Sequence, residues 1–256
     1  MDILVLKLIL APIIIGSASL AGRRWGAAVS GWLVALPLTS GPVIFILALS
    51  HERSFVFDAI RGTLSGGFSL IAYALTYAWT SKRSNWAVSI LASLTVFAAM
   101  TTILRNIVFP FIPLFFYVIG ALLGGLLLLP EQISLEAAAI PGKWDIPMRI
   151  LIGMSFILLI TGIAPFIGSR LTGLLTVIPI YISILTIFAH RHQGSAGATN
   201  VLRGLLFGLI AFAGFYLVLG LLIERISLGL AFGAAIIAAL IVQGISLLIL
   251  KMIRRQ

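Results

Sequence analysis

Residues 26–49, GAAVSGWLVALPLTSGPVIFILAL, contain no charged side chain, and runs of this kind recur along the whole chain. A helix needs about 20 such residues to cross the hydrocarbon core of a bilayer. No other feature constrains the fold as much. In lipid every backbone polar group must be satisfied within the protein, so a chain made of these runs folds as helices. The sequence is 61% hydrophobic and 9% charged, a balance that a soluble domain could not keep dispersed. The expected class is an all-α polytopic membrane bundle.

The formal charge of +10 would point to nucleic acid in a soluble chain. Here the basic residues fall between apolar runs, where they set topology and meet lipid headgroups. The bilayer, not nucleic acid, is therefore the expected partner. There is no cysteine, hence no disulfide framework and no thiolate metal site. The N-terminal MDILVLKLILAPIIIGSASLAG lacks a basic leader region and reads as a retained helix, with an uncleaved signal-anchor as the weaker option.

Nine spans are expected, at about 3–21, 26–49, 61–80, 86–104, 107–129, 149–167, 171–189, 203–223 and 228–250. The stretch 86–129 has two readings. Arg105-Asn106 with Pro110 and Pro113 separates two helices, or it marks a re-entrant hairpin that cuts the count to eight. With nine spans, eleven Lys/Arg fall on one side and five on the other, with Lys7 inside the first span. The richer side is expected to be cytoplasmic, which puts the C-terminus inside and the N-terminus outside. The connection 130–149 then lies in the cytoplasm as a linker, with room for one short interfacial helix.

The chain repeats itself. GWLVALP (31–37) returns as GLLTVIP (173–179), RGTLSG (61–66) as RGLLFG (203–208), YAL (73–75) as FYL (215–217) and Arg83 as Arg225, all at an offset of 142 residues. GSASLAGRR (16–24) matches GIAPFIGSR (162–170) after a four-residue shift. The non-apolar positions carry this match, which apolar composition alone does not explain. We expect two four-helix repeats, 1–104 and 149–256, with a connecting helix and cytoplasmic linker at 105–148. One crossing helix between four-span units makes the second enter from the opposite face, so the repeats are inverted.

Each half, through GWLVALPLTS with GTLSG and through GLLTVIPIYISILTIFAH with RGLLFG and IERISLGLAFGAA, resembles the GlpM-like family of small four-span bacterial membrane proteins. This chain departs from that pattern by fusing two diverged copies. The resemblance implies a multi-pass protein of the bacterial inner membrane and supplies no substrate.

Interrupted helices of inverted repeats commonly hold a substrate at the bilayer midplane. The candidate site is therefore Pro37, Thr39, Ser40, Gly41 and Pro42 from one half, with Pro179, Tyr181, Ser183 and Thr176 from the other. The alternative is a pair of ordinary proline kinks whose freed carbonyls are taken by Thr39 or Ser183. Arg61 and Arg203 each open an expected span just before a glycine. There an arginine opposes the helix macrodipole unless an acid or anion pairs with it. Asp58 is a ready partner for Arg61, and a lipid headgroup or anionic substrate is the partner expected at Arg203. Both also read as arginines snorkelling to headgroups. Lys7 reads either as a buried functional cation or as another snorkelling residue.

His51, His190 and His192 follow the second and seventh spans without the carboxylate that a metal site needs nearby, and no metal or cofactor is expected. They also suit a protonation switch. Small-residue runs such as GTLSGG (62–67) suit close helix packing. Neither G-x-S-x-G, H-E-x-x-H nor a phosphate-binding glycine loop is present, and we expect no enzyme, although His51 and Glu52 form a conceivable acid/base pair at the lipid interface. The expected function is a small secondary transporter or lipid-carrier flippase for an anionic substrate. The alternative is a non-transporting membrane component that assists assembly or regulation of a partner. A homo-oligomer is compatible with either.

Overall fold

The computed structural model describes residues 37, 40–131 and 145–253, without the side chains of 145–146, 148–149, 152–153 and 246–253. The expected span 3–21, the first part of 26–49, Lys7, Thr39 and most of the linker lie outside the described residues. Those described are helical throughout: α1 Ser40–Ser50, α2 Arg53–Thr80, α3 Trp86–Leu104, α4 Phe111–Leu128, α5 Asp145–Ile167, α6 Ser169–Leu175, α7 Ile180–Leu222 and α8 Leu228–Ile253.

Helix α2 and the second arm of α7 (195–222) form the centre. They run antiparallel. Arg53 at the start of α2 donates from Nη1 to the Ile226 carbonyl (3.3 Å), and Ser81 at its end meets Ser195 (2.8 Å). The first arm of α7 (180–193) runs the other way, parallel to α2, because Thr63, Tyr73 and Tyr77 meet Thr176, Ser183 and His190 in ascending order. The chain doubles back at Gly194, whose φ of 67° and ψ of −163° let one residue do what normally takes a loop. Helix α3 covers α2, α8 covers α7, and α4 bridges α2 and α7.

The molecule is lined with hydroxyls inside and aliphatics outside. Thr63, Ser65, Ser69, Ser89, Ser93 and Thr101 are buried, whereas Leu91, Leu127, Phe166 and Leu240 are exposed. The buried hydroxyls satisfy themselves locally, as Ser93 does by donating to the Ser89 carbonyl (2.6 Å), or across helices, as Thr101 does with Ser69 (2.9 Å). This is the arrangement that a lipid solvent requires, since it offers polar groups no alternative partner.

Four helical stretches are long and apolar enough to cross a membrane: Trp86–Leu104, Phe111–Leu128, Ser169–Leu222 and Leu228–Ile245. The nine expected spans are thus not reproduced among the described residues. Helix α2 is the instructive exception. It was expected at 61–80, yet it starts at Arg53 and is not among the four. As a central helix it faces protein on most sides, so it carries glycines and paired hydroxyls in place of lipid-facing leucines. The open choice at 86–129 resolves into two helices. Helix α3 ends at Leu104, a short turn spans Arg105 and Asn106, and α4 begins after Pro110.

Helix boundaries echo the sequence repeat. Shifted by 142 residues, Arg53–Thr80 falls on 195–222 and the start of α3 at Trp86 falls on the start of α8 at Leu228. The turn residue Glu52 falls on Gly194.

Candidate functional site: two prolyl breaks and a polar seam

In the second half the helix stops at Leu175 and resumes at Ile180, with Pro179 immediately before the restart. Proline has no N–H to continue the ladder, so carbonyls at the break look elsewhere. The Gly173 carbonyl accepts from Thr176 Oγ1 (2.6 Å), and Thr63 Oγ1 of α2 lies 3.2 Å from the same oxygen. Thr63 is also 2.8 Å from the Ala59 carbonyl, so its single proton serves one carbonyl at a time. The Pro179 carbonyl accepts both the N–H (3.0 Å) and the hydroxyl of Ser183. Val177 beside the break presses on Gly66, which places it near the middle of α2.

The first half does the same at its proline. The Gly41 N–H donates to the Pro37 carbonyl at 2.8 Å, the counterpart of Ser183 N–H on Pro179. Ser40, Gly41 and Pro42 are all buried. Gly41 lies against the ring of Phe215, and Ser40 is the polar neighbour of the fully buried Tyr216 hydroxyl. The structure therefore seats the two breaks on different central helices: Pro179, Thr176 and Ser183 on α2, and Ser40 with Gly41 on α7. Tyr181 is half-buried one residue into α7.

A line of polar contacts continues from the Pro179 break toward Gly194. Tyr73 meets Ser183 (2.9 Å), Tyr77 meets His190 Nδ1 (3.2 Å) and Ser81 meets Ser195 (2.8 Å). Displaced by 142 residues, these positions are Phe215 with Gly41, Leu219 with Ala48, and Ile223 with Arg53. One seam is polar and its counterpart is largely apolar. Sequence reading missed Tyr73, Tyr77 and His190. The available signal was the four-residue spacing of Tyr73, Tyr77 and Ser81, which puts them on one helix face.

The arginines do not open helices. Arg61 lies within α2, which begins at Arg53, and Arg203 lies within the arm that begins at 195. The macrodipole cost expected for them disappears, because its field is confined to the terminal turn. Arg61 Nη2 is paired with Asp58 Oδ1 at 2.9 Å, as the sequence suggested, and its guanidinium lies 5.3 Å from the Phe57 ring centre. Arg203 has a different partner, the Pro130 carbonyl at 3.1 Å. Arg61 neighbours Arg170 while Arg203 neighbours the end of α4, so the two stand at opposite ends of the bundle and belong to no common pocket.

The histidines also stay apart. His51 stacks on Phe55, His192 on Phe188, and His190 faces Tyr77. Among the described residues no group of three His, Cys, Asp or Glu could hold a metal. Compared with protein-family models, curated proteins and solved structures, the chain matches none.

Proposed function

We propose that this chain is a small integral-membrane secondary transporter or lipid-carrier flippase, made of two inverted four-helix repeats and a connecting helix, α4. One observation carries the reading. Two prolines at equivalent positions interrupt their helices, and each interruption is clasped by the central helix of the other half. Broken backbone at membrane depth is tolerated where protein or a water-lined cavity satisfies it, and alternating-access proteins place their sites there. Inversion is supported by the antiparallel course of α2 and its counterpart arm, since a two-fold axis relating antiparallel helices lies across them, in the membrane plane. A contact at one end (Arg53 with Ile226) then has its counterpart at the other (Ser81 with Ser195).

The substrate in this reading is an anion, bound near Pro37, Thr39, Ser40, Gly41, Pro42, Pro179, Tyr181 and Ser183 and approached past Arg61 at one end and Arg203 with Lys7 at the other. The expected spans hold no acid near their centres to receive a cation. The likeness of each half to GlpM-like proteins, a bacterial inner-membrane location and a cytoplasmic C-terminus belong to the same reading.

The test is flux in proteoliposomes with Pro37→Ala, Pro179→Ala and the double variant. Saturable uptake by the parent protein, lost in a double variant that still elutes as a single species, supports the reading. Absence of saturable flux for any organic anion or lipid-linked phosphate favours the non-transporting partner component instead.

A further inference from the structure

We infer that Arg61 of α2 and Arg170 of α6 together form a binding site for a phosphate-class oxyanion, with Asp58 as its resident counter-charge. The inference rests on the transport reading for its purpose, while its chemistry stands on the following contacts.

The two arginines are brought together by the backbone. A Cβ on Gly62 would overlap the Arg170 carbonyl, and one on Gly173 would overlap the Ala59 carbonyl. The helices therefore touch main chain to main chain, and Arg61 and Arg170 extend from adjacent positions at that contact. Each feels the other: Arg170 lies within the field of the Arg61 charge, and Asp58 is the acid acting on both. Two guanidiniums against one carboxylate leave one positive charge in excess, on groups that are partly out of water. Like charges held this close are destabilising without an anion between them.

The donors are also in excess. Arg61 gives Nη2 to Asp58 and lays its plane toward Phe57, while its Nε is buried and has no hydrogen-bond partner. A buried donor without an acceptor is costly, and an arriving oxyanion removes that cost. Arg170 makes no hydrogen bond to any described residue. A carboxylate fills one guanidinium fork. A phosphate, with three oxygens, accepts from two forks at once. A lipid headgroup and a free phosphate ester present the same group.

Full-length protein in uncharged maltoside micelles is titrated with inorganic phosphate by calorimetry, and separately loaded with phosphatidic acid or phosphatidylcholine for native mass spectrometry. We expect saturable binding of at least one phosphate probe. Phosphate binding identifies a free-anion site, and retention of phosphatidic acid alone identifies a headgroup site. Arg170→Gln should weaken it about tenfold, the loss of one charge-assisted hydrogen bond. Asp58→Asn should tighten it, because the competing carboxylate is gone. Arg105→Gln, on the exposed turn after α3, should change nothing. No saturation by either probe, unchanged affinity in Arg170→Gln, or weaker binding in Asp58→Asn overturns the site. If Asp58→Asn does not fold, Arg170→Gln decides alone. Because binding is read without a gradient, loss of flux does not touch it. Flux that persists with no binding removes the site and spares the transport reading.

Discussion

The hydroxyls of Tyr73 and Ser183 meet at 2.9 Å, while the equivalent positions in the other half, Phe215 and Gly41, meet ring to backbone with no polar atom between them. Sequence divergence after duplication has therefore made one seam polar and its twin dry. In an alternating-access protein the two seams serve opposite sides of the path, and this difference biases which side opens to water.

The Tyr73–Ser183 contact is measurable. In a double-mutant cycle, Tyr73→Phe and Ser183→Ala should show a coupling of about 0.6 kcal/mol, the usual size for side-chain hydrogen bonds within membranes. Because Ser183 also donates to Pro179, its single variant should cost more than that of Tyr73. Reversible unfolding in mixed micelles reads both, and additive single effects would remove the contact.

The close helix contact predicts an unequal response among glycines. Gly62→Ala and Gly173→Ala each force a methyl into backbone and should destabilise by about 1–3 kcal/mol, as overpacking does. Gly120→Ala on α4 has open space around it and should be neutral or slightly stabilising. Thermal midpoints of the three variants in one detergent decide this.

Ser81 and Ser195 sit within hydrogen-bonding distance, 2.8 Å, in a chain with no cysteine. A Ser81→Cys/Ser195→Cys pair should therefore form an intramolecular disulfide under mild oxidation and lose both titratable thiols. Under the transport reading, oxidation stops flux and reduction restores it. Two thiols that stay reactive would contradict the antiparallel packing of α2 and the second arm of α7.

Reporter fusions at 82–84 and 225–227 should land on opposite faces of the membrane. These segments end α2 and the second arm of α7, which run antiparallel. Both reporters on one face would exclude inverted repeats.

Some of this was legible in the sequence. Pro179 announced its break, because a missing N–H acts locally whatever surrounds it. The pairing of Asp58 with Arg61 was legible for the same reason, as one helical turn brings them together. The start of α2 was not. Hydropathy detects where apolar residues begin at Gly62, whereas the helix begins at Arg53, and a mixed Arg-Asp-Arg turn hides the difference. The meeting of Tyr77 with His190, and of Arg61 with Arg170, could not be read at all. Each joins residues more than a hundred positions apart and depends on how helices dock.

The contact of Gly62 with the backbone at Arg170 has a mechanical side. Main chain set on main chain has no rotamers to yield, so the joint holds its place and relative motion of α2 and α6 turns about it. It acts as a fulcrum, and it is off centre. At 1.5 Å per residue the arm toward Arg53 is about 13 Å and the arm toward Ser81 about 28 Å. A small tilt thus moves the Ser81–Ser195 end about twice as far as the Arg53 end. The leverage favours the end where the polar seam runs out, and a few degrees of rocking are amplified there while the arginines stay almost still.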